Sequence, residues 1–125
     1  MAYELIWEQD GLIFSYSGIV TNEDAIHSNE QYYSDSRSDD IRFQIVDFTN
    51  AEKINIDEET VEYIGAMDCA QSKSSFESQK IAFVGNQDNL KTVMDVYSIT
   101  LSSIGSDWKV GYFYDIESAK EWVLN

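Results

Sequence analysis

Cysteine, histidine and proline are nearly or wholly missing from this sequence, which contains Cys69, His27 and no proline. A single cysteine excludes an intramolecular disulfide. One cysteine and one histidine leave only carboxylates to complete a metal site, and the spacing of a calcium-binding loop does not occur. We therefore expect no metal or other cofactor. We expect Cys69 to be a buried apolar side chain rather than a reactive thiol, and His27 to lie on the surface.

Long apolar runs are also missing, since no stretch approaches the roughly 20 residues of a membrane-spanning helix. The first eight residues contain neither the basic segment nor the long apolar segment of a secretion signal. The sequence has no phosphate-binding glycine loop and no G-x-S-x-G turn of a serine hydrolase. These absences predict a cytoplasmic protein with no membrane span and no enzymatic activity.

Basic residues are scarce: Lys and Arg number 8 against 23 Asp and Glu, for a net charge of -15. Such a surface repels nucleic acid, because that binding depends on neutralising phosphates. It disfavours anionic membrane surfaces in the same way. A basic protein surface would be attracted, although the charge also has a simpler role in keeping the protein soluble.

Apolar residues are plentiful, at 43% of the chain with 14% aromatic. A domain of 125 residues buries about two-thirds of the surface that its unfolded chain exposes, so no disulfide or metal is needed to hold the core. We expect residues 1–125 to form a single domain.

The apolar residues follow strand-like and helix-like spacings in turn. Asp10-Gly11 is a strong hairpin signal, with the positive φ expected at Gly11. Three later strands each lead into a capped helix, as in parallel strands joined by crossover helices. The expected strands are 3–7, 12–20, 42–48, 80–84 and 109–114. The expected helices follow Thr21, follow Asp57, span 87–103 with a stop at Gly105, and follow Asp115. Residues 34–40 and 49–56 are expected to be loops.

This order predicts an α/β fold with a single mixed, mostly parallel sheet, an N-terminal antiparallel hairpin and helices on both faces. Strands 42–48 and 80–84 carry apolar residues on both sides, which is typical of strands buried on two faces. We expect them to be adjacent or near-adjacent central strands.

Two segments carry a family resemblance. Ile45-Val-Asp-Phe48 precedes a helix with acidic residues at its start, and the chain closes with Tyr114-Asp-Ile-Glu-Ser-Ala-Lys-Glu-Trp-Val123. With the element order, these segments resemble the SpoIIAA-like (STAS-like) family over nearly the whole chain. The resemblance implies a small bacterial domain, often a homodimer, that acts as a protein-interaction or regulatory domain. The alternative that it implies is a carrier of a small apolar or lipid-like ligand in a CRAL-TRIO-like pocket.

Anti-sigma-factor antagonists of this kind carry a D-S-S-G-L-like motif at the start of the helix after this strand, and its second serine is phosphorylated. The matching run here is Asp57-Glu58-Glu59-Thr60-Val61. Glu59 therefore stands where the resemblance implies the modified serine, and it has no hydroxyl to phosphorylate. The simpler interpretation is that these acids only stabilise the helix N-terminus. As partner- or ligand-binding candidates we take Asp57, Glu59 and Thr60.

A second set of candidates lies at a strand end. Asp47 is predicted to close a parallel strand, with Thr49 and Asn50 next to it and with Asn86 and Asp115 along the same rim. In open α/β sheets ligands bind beyond the carboxyl ends of the strands, although acids there also cap neighbouring loops.

The helix at 87–103 has more apolar surface than one buried stripe requires. Val96 and Ile99 fall outside that stripe, three residues apart. They are candidates for a homodimer or partner interface, or for contact with a neighbouring helix of the same domain.

Overall fold

The computed structural model describes residues 2–74 and 78–125. Its elements follow the expected alternation of strands and helices, with a short 3-10 helix added after the first α-helix. They are β1 Tyr3–Glu8, β2 Gly11–Thr21, α1 Asn22–Ser34, the 3-10 helix Ser36–Asp39, β3 Phe43–Asn55, α2 Glu58–Ser74, β4 Lys80–Val84, α3 Leu90–Ser103, β5 Lys109–Phe113 and α4 Ile116–Leu124.

The strands form one five-stranded sheet in the order β1-β2-β3-β4-β5. β1 and β2 pair in the antiparallel sense, and the other three pairings are parallel. β3 is the middle strand and β4 is its neighbour, which confirms the predicted α/β fold and its central strands.

The helices divide three to one between the two faces of the sheet. Because strand order follows chain order, the right-handed crossovers through α1, α2 and α3 all fall on one face. The helix α4 follows the last strand, crosses to no further strand and packs on the other face. We call the face with α1, α2 and α3 the three-helix side and the face with α4 the one-helix side. The buried apolar residues of the one-helix side are Ile13, Phe43, Ile45, Ala82, Val84, Ala119 and Val123.

β3 is longer than the sequence pattern predicted. The loop expected over 49–56 is wrong, because residues up to Asn55 continue the strand and pair with β2. Two register shifts, between Ser15 and Ser17 and between Gly18 and Ile19, let the polar end of β3 follow β2. Such bulges insert residues without the regular apolar alternation that marks a strand, so the pattern did not reveal this part of it.

Two local predictions also need correction. In the first hairpin, Asp10 has the positive φ, at 64°, and Gly11 does not. Gly11 is needed for space instead, since a Cβ there would lie 2.1 Å from the Phe43 ring. In the segment 34–40, expected to be a solvated loop, a 3-10 helix forms and Ser38 is buried.

The helix expected from residue 87 begins at Leu90. The residues before it serve another purpose, because the Gln87 amide donates to the Phe48 and Ala51 carbonyls of β3 and Asn89 donates to the Ile54 carbonyl. Gly105 has a φ of 86° just after the helix, as expected for its stop.

Candidate functional site

The N-terminus of α2 is held by one carboxylate. The Thr60 backbone N–H donates to Asp57 Oδ1 at 2.8 Å, which is the predicted N-cap. This bond, followed by those from the Thr60 side chain and from Asn22, holds the pKa of Asp57 below its ordinary value. The capping role of Asp57 therefore occupies its side chain.

Asn22, the first residue of α1, fixes the position of this cap. Its Nδ2 donates to Asp57 Oδ2 at 2.8 Å, and its Oδ1 accepts from the Asp57 backbone N–H at 2.9 Å. The pair joins the starts of α1 and α2. Sequence reasoning missed Asn22, because nothing in a local pattern couples two residues that lie 35 positions apart.

The two glutamates that follow Asp57 take no part in the hydrogen bonds of the helix cap. Glu58 and Glu59 are both exposed, and within the described part of the chain neither makes a hydrogen bond or an ion pair. Thr60, in contrast, is 8% exposed. Of the candidates at this helix start, Glu59 is therefore the one whose side chain is available to a partner.

Asp47 and Thr49 lie elsewhere. Asp47 is in register with Ser15 on one side and Val84 on the other, so it lies within β3, and the prediction that it closes the strand is wrong. It shares the one-helix side with Ile45, two positions before it. The backbone N–H and the hydroxyl of Thr49 both donate to its carboxylate. The sheet separates this pair from α2, and the structure does not bring Asp47 together with Glu59.

Of the remaining rim candidates, Asn86 and Asp115 follow the carboxyl ends of β4 and β5, whereas Asn50 lies within β3. Asn50 is exposed and pairs with Ser17, and Asn86 is exposed after β4. Asp115 caps α4 by accepting from the Ser118 N–H at 2.8 Å, which holds its pKa below the ordinary value.

A surface groove of about 410 Å³ runs between the end of β3 and the connection from β4 to α3. Its walls are residues 51–54 and 86–89, and Gln87 ties them together with bonds of 2.7 and 2.9 Å to β3 carbonyls. The other amide atom of this side chain, Oε1, is buried and has no partner among the described residues. The groove is a polar feature of the carboxyl rim, and it presents both acidic and basic side chains.

The three-helix side encloses a cavity of about 50 Å³. Most of its lining is apolar, but the carboxylate of Asp68 and the amides of Asn29 and Gln44 also reach it. A cavity of this size accommodates a few water molecules at most.

Asp68 is the centre of a buried polar network beside this cavity. It is 2% exposed and accepts hydrogen bonds from the hydroxyls of Tyr97, at 2.6 Å, and Tyr33. Burial raises the pKa of Asp68 to about 7 from an ordinary 3.8, while the bond from Tyr97 lowers it. One carboxylate thus links all three helices of this side. No local sequence pattern marks Asp68 as part of such a network.

The predicted interface residues on α3 differ in exposure. Val96 is half-buried and packs against the core of the three-helix side, whereas Ile99 is 67% exposed. His27 is exposed and Cys69 is buried. Over residues 2–74 and 78–125, no helix is long and apolar enough to cross a membrane. Among those same residues, no group of three or more His, Cys, Asp or Glu side chains could hold a metal ion.

Comparison of the sequence with known protein families and with curated proteins finds no match. Comparison of the structure does. The unphosphorylated form of the anti-sigma factor antagonist SpoIIAA superposes with a TM-score of 0.62 at 9% identity, covering 99% of each chain. The phosphorylated form of SpoIIAA, a Bacillus cell fate determinant, gives 0.63 at 10% identity, with coverage of 98% of this chain and 99% of the other.

A DUF3478-family protein from Shewanella loihica PV-4, described as having a SpoIIAA-like fold, gives a TM-score of 0.58 at 16% identity over 98% of this chain and 92% of its own. The chain has the SpoIIAA-like fold. The identities are low, so the likeness concerns the fold and not the residues of a site. The helix that follows the central strand β3 is α2, and Glu58 and Glu59 lie in its first turn.

Proposed function

We propose that this protein is a non-enzymatic regulatory domain that binds a protein partner through the start of α2. The proposal rests on the different roles of two acidic residues at this helix start. Asp57 alone caps the helix, while the exposed Glu59 makes no bond within the described residues. A first-turn acid that is not used by its own helix is available to an incoming basic side chain.

The proposed surface carries a permanent charge. A phosphoserine has a charge of about -1.5 to -2 at neutral pH, and a glutamate has a single negative charge at the same place in the helix. SpoIIAA has been described in unphosphorylated and phosphorylated forms. We propose that this chain, with Glu59 at the matching position, binds its partner without that switch and acts in the bacterial cytoplasm.

The net charge of -15 favours a basic partner surface. Complementary charge raises the association rate more than it lowers the dissociation rate, and salt screens it. At physiological ionic strength the screening length is about 8 Å, so the on-rate should fall as salt is raised further.

Glu59→Ser tests the site. Tagged wild type and the variant are used to capture proteins from lysate of the native host, and each captured protein is then measured for on-rate at two ionic strengths. Glu117→Ser is the matched control, because Glu117 is also an exposed first-turn acid, but on α4. We expect Glu59→Ser to weaken capture of a partner that Glu117→Ser retains, with both variants melting close to wild type.

Identical capture by all three proteins would contradict the proposal and leave Glu59 as a helix-stabilising acid only. An on-rate that does not change with salt would remove the electrostatic part of the argument. No observation favours the alternative of a lipid-like carrier, since the cavity of about 50 Å³ is far below the 300 to 1,000 Å³ typical of ligand pockets.

A further inference from the structure

The helix α4 lies over one part of the one-helix side. It packs on β3 and β4 and reaches β5. Neighbouring strands lie about 4.8 Å apart, and packed helices lie about 8 to 10 Å apart. A second helix beside α4 would therefore have its axis about two strands away, over β1 and β2. Among the residues that the structure describes, no helix packs on that part of the one-helix side.

Three exposed side chains of β1 point to the one-helix side beside α4. The odd-numbered residues of this strand pack against the core of the three-helix side, so the even-numbered residues Glu4, Ile6 and Glu8 face the other way. Ile6 is 39% exposed and pairs in register with Ile13, which is buried on the one-helix side. This part of the sheet therefore presents an apolar residue between two carboxylates.

A surface groove of about 440 Å³ lies next to these residues, between the first hairpin and the end of α4. Glu8 and Asp10 line it from the hairpin, and both are exposed. Leu124 lines it from α4 and is 69% exposed, and the buried ring of Phe43 lines it from β3. The groove therefore offers both apolar side chains and carboxylates to an occupant.

The charges along this surface favour a basic occupant. Lys120 is the one cation that lines the groove among the described residues, and its Nζ lies 3.6 Å from Glu8 Oε1. Both side chains of this pair are partly exposed. Because exposed ion pairs contribute little to stability, a basic side chain of a partner can replace Lys120 there. Glu4 and Asp10 form no ion pair within the described part of the chain, so their carboxylates are available to a partner.

We propose that a Lys- or Arg-rich amphipathic helix of a protein partner packs beside α4, over β1 and β2. Its apolar side chains contact Ile6 and Leu124, and its basic side chains contact Glu4, Glu8 and Asp10. This surface lies on the opposite side of the sheet from α2, so the contact is independent of the function proposed for α2.

The same features disfavour other occupants. An extended segment adds to the edge of a sheet, whereas the face of a sheet is covered by helices or by another sheet. A second copy of this chain would bring the same acids and a charge of -15 to an acidic surface. Nucleic acid and anionic membranes are repelled for the same reason.

A synthetic peptide serves as the probe. It has about 18 residues, or five helical turns, with leucines along one face and lysines on the other. A second peptide has glutamate at every lysine position. Fluorescence anisotropy at physiological ionic strength should show binding of the lysine peptide and none of the glutamate peptide. In NMR spectra the lysine peptide should shift the backbone amide signals of β1 and of the end of α4, and those of α2 and α3 should stay in place.

Two exposed isoleucines test the position of the peptide. Ile6→Ser should raise the dissociation constant of the lysine peptide about tenfold, because it removes an apolar contact without changing the charge. Ile99→Ser is the matched control, since Ile99 is 67% exposed on α3, and it should leave the constant unchanged. Leu124→Ser repeats the test at a side chain that is 69% exposed, where the fold does not depend on it.

Glu8→Gln tests the charge contacts, and Glu59→Gln is its control at the surface proposed for α2. Glu8→Gln should weaken binding of the lysine peptide several-fold, and by a larger factor at low salt than at high salt, because salt screens exposed charges. Glu59→Gln should leave this binding unchanged. Thermal melts of every variant check that the fold is retained.

Equal losses for Ile6→Ser and Ile99→Ser, or for Glu8→Gln and Glu59→Gln, would show that the peptide binds only as a diffuse counter-ion and would overturn the proposal. Failure of the lysine peptide to bind would also overturn it. Signal shifts confined to α2 would support the function proposed above and refute this contact. Self-association of wild type in analytical ultracentrifugation, lost in Ile6→Ser, would assign the surface to a second copy instead.

Discussion

The two sides of the sheet bury different kinds of side chain. The one-helix side is covered by α4. Seven apolar residues from the strands and α4 are buried there, and among the residues that the structure describes no polar side chain is buried on that side. The three-helix side, in contrast, buries polar side chains that include Ser28, Asn29, Gln44 and Asp68, and the Asp68 carboxylate lies among its three helices. The difference suggests that α4 provides a simple cover, whereas α1, α2 and α3 are positioned relative to one another by hydrogen bonds.

The polar network explains that positioning. Gln44 on β3 donates to Gln79 at 2.8 Å and to the Tyr32 hydroxyl at 3.3 Å. Tyr32 in turn donates to Gln71 on α2 at 2.7 Å. A buried polar group costs free energy unless it is paired, so such a network favours the one arrangement in which every partner is in place.

The largest loss of stability should come from truncating a buried phenylalanine, and each side of the sheet has one that can be compared. Phe14, on the three-helix side, is 2% exposed, and Phe43, on the one-helix side, is 3% exposed. Phe14→Ala should lower the free energy of unfolding by about 3 to 5 kcal/mol, because its neighbours are fixed from three helices. Phe43→Ala should cost less, since that ring borders an open groove of about 440 Å³ that water can enter.

Chemical denaturation of both variants at neutral pH measures the two losses. Equal losses would show that the one-helix side is as rigidly packed as the other and would remove the proposed contrast.

Asp68→Asn should change how stability depends on pH. The pKa of this carboxyl is raised from 3.8 to about 7 by burial, so the folded state binds the proton more tightly than the unfolded state. Its contribution is complete below pH 3.8 and is lost as pH rises through 7, by on the order of 4 kcal/mol at 1.36 kcal/mol for each pKa unit. The asparagine variant cannot ionise and should keep its stability over that range.

The measurement is the difference between the wild-type and Asp68→Asn unfolding free energies from pH 4 to pH 8. Acids that titrate in both proteins cancel in this difference. We expect the unfolding free energy of Asp68→Asn to increase relative to that of wild type as pH rises. A flat difference would mean that the carboxylate is solvated in the folded protein, and the contrast between the two sides would then lose its electrostatic basis.

The parts of the molecule that could be predicted from the sequence are those encoded over short distances. The caps at Thr21, Asp57 and Asp115 each bond a residue three positions away. The strand and helix periodicities gave the element order for the same reason. The Asp68 network could not be predicted, because Tyr33 and Tyr97 lie 35 and 29 positions from it and only the fold brings them together.

The candidate site was predictable only in part. The acidic start of α2 was found from its local pattern, but its tie to Asn22 was not. Asp47 was misplaced because the polar residues after it were interpreted as a loop, whereas pairing with β2 holds them in β3. Strand pairing is a long-range effect that alternation does not encode where the strand is bulged.

The smallest effect should come from the two aspartate caps, one on each side of the sheet. Asp57→Ala removes the cap of α2 together with the bond from Asn22 Nδ2 to Asp57 Oδ2, whereas Asp115→Ala removes only the cap of α4. Both variants should melt slightly below wild type at neutral pH, with the larger loss for Asp57→Ala because one of the two bonds between the starts of α1 and α2 is also removed.

At low pH the difference in melting temperature between each variant and wild type should disappear. Hydrogen bonds from backbone N–H groups lower the pKa of both carboxyls below 3.8, so their stabilisation is present above that pH and is lost as pH falls through the lowered values. Thermal melts in a pH series down to about 2 should therefore show the variants converging with wild type. Asp57→Asn is the control, since an asparagine still caps the helix and should recover most of the loss at neutral pH. If Asp57→Ala and Asp115→Ala cost the same, the bond from Asn22 to the Asp57 carboxylate contributes nothing measurable to holding α1 and α2 together.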